Sequence, residues 1–329
     1  MNWQAKRVLV TGAGGFIGSH LCEALLSEGA HVTAMLRYSS RSDWGNLELL
    51  SADARQQLKV IAGNVEDGDF VAQQVKGQDV IFHLAALIAI PYSYVAPMSY
   101  VRTNVEGTLN LLEAARKQGL ERFIHTSTSE VYGTALYTPI DEKHPLQGQS
   151  PYSASKIGAD KIAESYYRTY ELPVVTVRPF NTFGPRQSAR AIIPTIIGQA
   201  LAETEIKLGS LAPIRDLSFV RDVTQGFIKL AESERVVGET INLGSGEGIS
   251  IGELARQTLE MMGCKKRIVS DEQRVRPRNS EVDLLICDNS KARQLAGWKP
   301  TYSLKQGLQE VLDFISRNLH HYKTDRFLF

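Results

Sequence analysis

Thr11-Gly12-Ala13-Gly14-Gly15-Phe16-Ile17-Gly18 is the stretch on which the reading of the fold turns. It follows a short apolar run over residues 7–10 and opens a helical pattern carried by Phe16, Ile17, Leu21, Leu25 and Leu26. Strand, glycine turn and helix are the expected order. Gly12 and Gly15 would let backbone N–H groups approach a pyrophosphate at the positive end of the helix, with Phe16 and Ile17 at the same mouth. Gly18 would let the helix pack closely on the sheet. A tight turn without a ligand has the same glycines, but the position between a first strand and an apolar helix favours a dinucleotide.

Working outward, further short strands are expected at 31–36, 58–62, 79–84, 122–126 and 174–177, separated by helical patterns, notably 100–118 and 152–171. That alternation predicts an α/β fold with a doubly wound parallel sheet covered on both faces. Ligands then bind beyond the carboxyl ends of the strands, where Gly12, Ala85 and Thr128 fall. After Pro179 the rhythm is irregular. Residues 181–186 have turn character, 192–202 look helical and 207–216 read as a loop. Residues 219–244 return a helix and strand to the first lobe, and 249–262 and 290–319 supply late helices. The expected division is a dinucleotide-binding domain over 1–178 and 216–249, and a smaller, discontinuous substrate-binding lobe over 179–215 and 250–329. The last ten residues, 320–329, are expected to be a partly ordered tail.

With 329 residues the chain can bury a substantial core. Its 37 Lys+Arg against 36 Asp+Glu leave a formal net charge of +1, so no global field argues for nucleic acid or an anionic membrane surface. No run of about 18 apolar residues and no leader-like amino terminus is present, and a cytoplasmic location is the expectation. Cys22, Cys264 and Cys287 are far apart and without metal-like spacing. They read as reduced packing residues, and no metal is expected.

The chemistry-bearing residues lie in Thr126-Ser127-Thr128-Ser129-Glu130-Val131-Tyr132-Gly133 and in Tyr152-Ser153-Ala154-Ser155-Lys156. A tyrosine and a lysine four positions apart share a helical face, so the ammonium is expected to lower the phenol and let it take a proton from a substrate alcohol. Thr128 would orient that alcohol. Glu130, two positions on and read as part of a strand, would project to the same side for a second proton transfer, which plain dehydrogenation does not require.

The end of the second strand bears on the cofactor, because a carboxylate there accepts ribose hydroxyls and repels a 2′-phosphate. The chain instead has Arg37, Ser39, Ser40 and Arg41, two guanidiniums and two hydroxyls suited to phosphate. NADP is the expected cofactor. NAD is the alternative, with the arginines stacked on adenine. Asn64 and Val65 are expected to bound the adenine, and Leu84, Ala85 and Ala86 to line the path to the nicotinamide ribose.

These motifs, with His83 to Ala86, Asn104, Arg178 to Arg186, Arg215 to Asp222 and Asp288 to Pro300, resemble the extended short-chain dehydrogenase/reductases over nearly the whole chain. Within them, the resemblance is to the nucleotide-sugar 4,6-dehydratases. It implies a Rossmann-type sheet with a nucleotide-sugar lobe. In sugar 4-epimerases the position of Glu130 is usually held by a residue that cannot take a proton from carbon 5. Thr128-Ser129-Glu130 and the 37–40 stretch resemble GDP-mannose 4,6-dehydratases; the dTDP-glucose enzymes have aspartate where this chain has Ser129. Residues 87–94 and 138–151 are most similar to dehydratases of the legionaminic acid pathway, which implies UDP- or GDP-N-acetylglucosamine as substrate. Ile88 stands where the GDP-mannose enzymes have a polar residue, so an apolar wall would meet the acetamido methyl.

The mechanism so implied starts with Tyr152 taking the carbon 4 hydroxyl proton, assisted by Lys156 and Thr128, as hydride goes to the tightly bound, recycled nicotinamide. Glu130 then removes the carbon 5 proton, the carbon 6 hydroxyl leaves as water with a proton from Ser129, Glu130 or a bound water, and hydride returns to carbon 6. Asn181, Arg186, Arg215 and Arg276 are expected to hold the diphosphate, as arginines bind phosphate bidentately. Glu281 resembles the carboxylate that meets ribose hydroxyls, at a longer spacing from Arg276-Pro277. The helices over 100–118 and 152–171 resemble a dimer-forming pair, so a homodimer is expected. The competing readings are a 4-epimerase, a dehydratase that stops at a 5,6-alkene, and a nucleotide-sensing scaffold without turnover.

Overall fold

In the computed structural model of the protein, which describes residues 1–322, the expected strand, turn and helix form around Gly12. β1 (Arg7–Thr11) is buried from Val8 onward, and α1 (Phe16–Ser27) begins immediately after the glycines. The next strands are β2 (His31–Arg37), β3 (Lys59–Gly63), β4 (Val80–His83), β5 (Arg122–Thr126) and β6 (Val174–Pro179). They are followed by β7 (Asn181–Phe183), β8 (Ile206–Leu208), β9 (Ile214–Phe219), β10 (Thr240–Leu243), β11 (Gly248–Ser250), β12 (Ile268–Ser270) and β13 (Leu284–Leu285). Seven of them make one parallel sheet in the order β10-β6-β5-β4-β1-β2-β3. β1 lies between β2 and β4 in parallel register, so the crossovers run in opposite directions on its two sides and leave a crevice at their carboxyl ends.

The helices after α1 are α2 (Ala52–Gln57), α3 (Gly68–Val75), α4 (Ile90–Val95), α5 (Pro97–Tyr100), α6 (Gly107–Gln118), α7 (Pro151–Tyr170), α8 (Ile192–Ala202), α9 (Val220–Glu232), α10 (Ile251–Met261), α11 (Ser290–Ala296) and α12 (Leu304–Arg317). Strand side chains alternate between two cores, as period-2 geometry demands. Val8 and Val10 pack with Leu21 and Leu25 of α1 and Phe227 of α9; Leu9 packs with Val71 of α3, Leu111 of α6 and Ala163 of α7. Burial on both faces explains the near-continuous apolar strands that the sequence shows.

The second lobe gathers around a small sheet in which β9 pairs with β7, β11 and β13, and around the β8–β12 pair. Residues 207–216, read as a loop from sequence, thus contain the end of β8 and the start of β9. Their partners lie far along the chain or are only two or three residues long, so no local alternation announced them. Similarly, 181–186 begins with β7, paired parallel to β9. The helix expected over 100–118 is α5, a π-helical turn (Val101–Glu106) and α6. Of the tail, Tyr322 is buried in the second-lobe core, and the remainder of 320–329 from residue 323 lies outside the described residues. Among the described residues no helix is long and apolar enough to cross a membrane.

Candidate active site

The carboxyl ends of β1, β2, β4 and β5 open onto a cleft of about 1380 Å³ that runs between the lobes. That exceeds what one small ligand fills, and suits a dinucleotide and a second ligand together. At one end, Gly12 has φ +70, and a Cβ on it would lie 2.8 Å from the Ala85 nitrogen. A Cβ on Gly18 would lie 2.3 Å from the Gly12 carbonyl oxygen. The glycines therefore bring β1, the β4 end and α1 together more closely than any side chain permits. Gly15 caps α1 without a side-chain hydrogen bond, leaving the first N–H groups of the helix for an anion. This cradle fits the pyrophosphate of a dinucleotide.

Arg37, Ser39, Ser40, Asn64, Val65, Leu84, Ala85 and Ala86 line the same end of the cleft, with Phe16 and Ile17 at its mouth. Arg41 does not: it is exposed in the turn beyond Ser40 and contributes nothing to the wall, which corrects the expectation for it. Sequence reasoning missed Asp43, Trp44 and Glu66, which line the wall as well. Asp43 is six residues past β2 and reaches the rim because the chain turns back through Gly45, whose Cβ would lie 2.7 Å from the Gly14 carbonyl oxygen. No motif spacing marks that return.

β5 ends at Thr126, and Ser129–Tyr132 form a 3-10 turn rather than the strand continuation expected from sequence. Thr128 caps the turn, accepting from the Glu130 N–H at 3.2 Å. The tight turn, not strand alternation, puts Thr128, Ser129 and Glu130 on one wall. Facing them is α7, started by Ser150 in a capping box with Ser153 and by Pro151 in its first turn. Tyr152 and Lys156 are one turn apart on its cleft face, and both are buried. Burial pushes the Tyr152 phenol up, a hydrogen bond with Thr128 pulls it down, and the Glu130 charge raises it further.

Lys156 donates to the Thr126 carbonyl at 2.6 Å, and burial lowers it to about 8 while Asp160 holds it up. The ammonium is thus held at the strand end, one helical turn from the phenol that the sequence reading has it lower. Asn104, inside the π-helical turn, supports this face: it donates to Ser155 Oγ at 2.9 Å and exchanges two hydrogen bonds with the Leu87 backbone. Such turns recur where a helix bends to meet a site.

Across the cleft, Arg215 Nη2 and Arg276 Nη1 both face Glu281 Oε1, at 3.2 and 3.5 Å. Burial lowers Arg215, while the charges of Glu130 and Glu281 raise it. Asn181, Arg215, Arg276 and Glu281 all line the cleft, and Ile88 does so while 65% exposed. Arg186 does not. Its Nη2 donates to Glu23 Oε2 of α1 at 2.8 Å, so it joins the lobes and is not part of the cleft wall. Thr126 Oγ1, Asn181 Oδ1 and Gln187 Oε1 are buried on the cleft walls without hydrogen-bond partners. Buried polar atoms left this way point to a polar ligand that satisfies them.

A family model described as GDP-mannose 4,6 dehydratase matches residues 9–311. The chain belongs to the GDP-mannose 4,6-dehydratase family. It is 31% identical to a dTDP-D-glucose 4,6-dehydratase of Mus musculus, over 97% of this chain and 91% of that one. Among solved structures it is similar to DesIV, a dTDP-glucose 4,6-dehydratase of Streptomyces venezuelae with NAD bound, at a TM-score of 0.87 and 30% identity over 97% and 100% of the two chains. It is also similar to a UDP-glucuronic acid 4-epimerase of Bacillus cereus in complex with UDP-glucuronic acid and NAD, at a TM-score of 0.86 and 29% identity over 95% and 99%. Family membership makes the chain a nicotinamide-dependent enzyme of the nucleotide-sugar dehydratase and epimerase fold, and the glycine cradle fits that cofactor.

Proposed function

We propose that the enzyme converts a nucleoside-diphosphate hexose, UDP- or GDP-N-acetylglucosamine, to the 4-keto-6-deoxy sugar, as in the legionaminic acid pathway. The observation that carries this reading is Glu130 on the same wall as Thr128, with its charge acting on Tyr152. Tyr152 takes the carbon 4 hydroxyl proton, and its hydrogen bond with Thr128 both orients that hydroxyl and favours the phenolate. A nicotinamide dinucleotide held at the Gly12, Gly15 and Gly18 cradle would supply a hydride acceptor for carbon 4 and a hydride donor for carbon 6. The carbon 4 ketone acidifies carbon 5, whose proton Glu130 removes. Ser129 or Glu130 then protonates the departing carbon 6 hydroxyl, which leaves as water, and as carbon 6 receives its hydride a proton passed through Glu130 returns to carbon 5, replaced by the one Tyr152 releases to solvent. Arg215, Arg276 and Asn181 hold the diphosphate, Glu281 meets the ribose hydroxyls, and the open side chain of Ile88 meets the acetamido methyl.

Incubation of the purified protein with UDP-N-acetylglucosamine, GDP-N-acetylglucosamine and GDP-mannose tests this by mass spectrometry. Loss of water from an N-acetylglucosamine substrate is expected, with a 6-methyl group in the product. Glu130→Gln should reduce that rate by at least ~100-fold, the usual scale for removing a general base. A 4-epimer formed without water loss, or a Glu130→Gln rate equal to wild type, overturns the reading. Epimerisation is the second reading, supported by the similarity to the Bacillus cereus 4-epimerase.

For the cofactor, Arg37, Ser39 and Ser40 support NADP through its 2′-phosphate; Asp43 on the same rim, and the NAD in both related structures, support NAD. Exposed Met98, Val101 and Leu109 on the α5–α6 face support a homodimer, which sedimentation equilibrium tests.

A further inference from the structure

Helix α7 carries a third ionisable side chain on the face that bears Tyr152 and Lys156. Asp160 is four residues beyond the lysine and 4% exposed. Its Oδ1 accepts from His125 Nε2 at 3.0 Å. Oδ2 accepts from Ser127 Oγ at 2.7 Å and from Arg178 Nη2 at 2.9 Å. Arg178 Nη1 in turn donates to the Tyr132 hydroxyl at 2.9 Å, and that hydroxyl donates to Asn242 Oδ1 at 2.8 Å. Ser127 is the residue after Thr126, whose carbonyl holds Lys156, and Tyr132 ends the turn that carries Ser129 and Glu130.

We propose that Asp160 is a positioning residue: the buried counter-charge that keeps Lys156 an ammonium and ties the β5 end to the turn bearing Glu130. The charge inventory around Lys156 supports this. From β5, His125 faces it, and from β4, His83; burial holds both rings below the usual imidazole value, so neither adds a charge at neutral pH. From β6 comes Arg178, a second buried cation. Tyr152 on α7 is a neutral phenol, and Glu130 lies across the cleft. Beyond Asp160, Glu142 is engaged with the Asn242 N–H at 2.8 Å, and burial raises it. Without Asp160 two buried cations would lack a nearby buried anion, and the lysine would release its proton most easily. Asp160 itself is held down at about 2 by His125, Arg178 and Lys156, so it stays ionised throughout the working range.

The proposal rests on the dehydratase reading only for its kinetic arm. Lysine-selective ¹⁵N labelling of the cofactor-loaded protein reads the Lys156 ammonium directly, whatever the substrate proves to be. In wild type it is expected to be charged at about pH 7. In Asp160→Asn it should lose its proton at lower pH, and the alkaline limb of kcat should move down, so that activity near pH 8 relative to pH 6.5 falls at least ~tenfold. Asp160→Glu keeps the charge while changing the fit, and should retain the wild-type limb even where its thermal stability drops. A folded Asp160→Asn protein with the wild-type titration, or an uncharged Lys156 in wild type at pH 7, overturns the proposal. If Asp160→Asn does not fold, wild type and Asp160→Glu decide by the same signal. Absence of turnover on every sugar tested would count against the dehydratase reading alone, because the Lys156 titration is read without substrate.

Discussion

Gly18 shows how much a single residue type can carry. A methyl group there would sit 2.3 Å from the Gly12 carbonyl oxygen, so Gly18→Ala must push α1 off the turn that forms the pyrophosphate cradle. Cofactor affinity is expected to fall at least ~tenfold by calorimetry with NADP and NAD, because both share the pyrophosphate. Arg37→Ala should separate the two cofactors: if Arg37 meets a 2′-phosphate, NADP binding weakens by about tenfold and NAD binding does not change, on the scale of one charge-assisted contact. Equal effects on both, read by fluorescence titration, would argue for adenine stacking instead. At this scale the sequence was most informative where a motif fixes backbone geometry, as at Gly12 and Gly18. It was least informative for long side chains. Arg186 and Arg41 have the right chemistry for phosphate, but one is drawn to Glu23 and the other lies outside the cleft. The partner that Arg186 reaches lies 163 positions away in the chain.

Helix α7 sets the geometry of the pair on which the proposed chemistry depends, and its start is specified locally. Ser150 accepts from the Ser153 N–H at 3.1 Å while Ser153 Oγ accepts from the Ser150 N–H at 3.0 Å, with Pro151 pre-set for the first turn. Ser150→Ala should destabilise the protein by about 1 kcal/mol in urea denaturation, the usual cost of a lost cap. Because Tyr152 is in that first turn, kcat should fall more than KM rises; unchanged kcat would show that the helix start does not position the phenol. The residues of α7 were legible in the sequence because 152 and 156 share a face by helical spacing alone. The 3-10 turn at Ser129–Tyr132 was not. Its residues continue a strand pattern, and only the Thr128 cap and the packing of Val131 and Tyr132 into a separate core turn the chain.

At the scale of the whole molecule, the two lobes meet over α1. His20 Nε2 donates to the Pro185 carbonyl at 2.9 Å, and Arg186 pairs with Glu23 one turn away. Burial lowers His20 from 6.5 to about 4, and His83 and His125 are lowered with it. For such groups stability is full above the unfolded value, near 6.5, and is lost as pH falls through the folded one, since the unfolded chain binds protons that the native state refuses. His20 alone should cost on the order of 3 kcal/mol by pH 4. Urea denaturation at pH 7.5, 6 and 4.5 should therefore show a steep decline that begins below 6.5; a flat profile over that span would contradict the burial of these rings.

The sequence by itself determined the parallel sheet, the glycine cradle and the identity of the Thr128, Glu130, Tyr152 and Lys156 group, because periodicity and backbone geometry act within a few residues. The tertiary structure alone decided which arginines face the cleft and that Asp43 reaches its rim. It also decided that Asp160, Arg178 and the two histidines gather beneath the lysine. Burial and pairing are set by neighbours distant in the chain, and an electrostatic partner has no local signature.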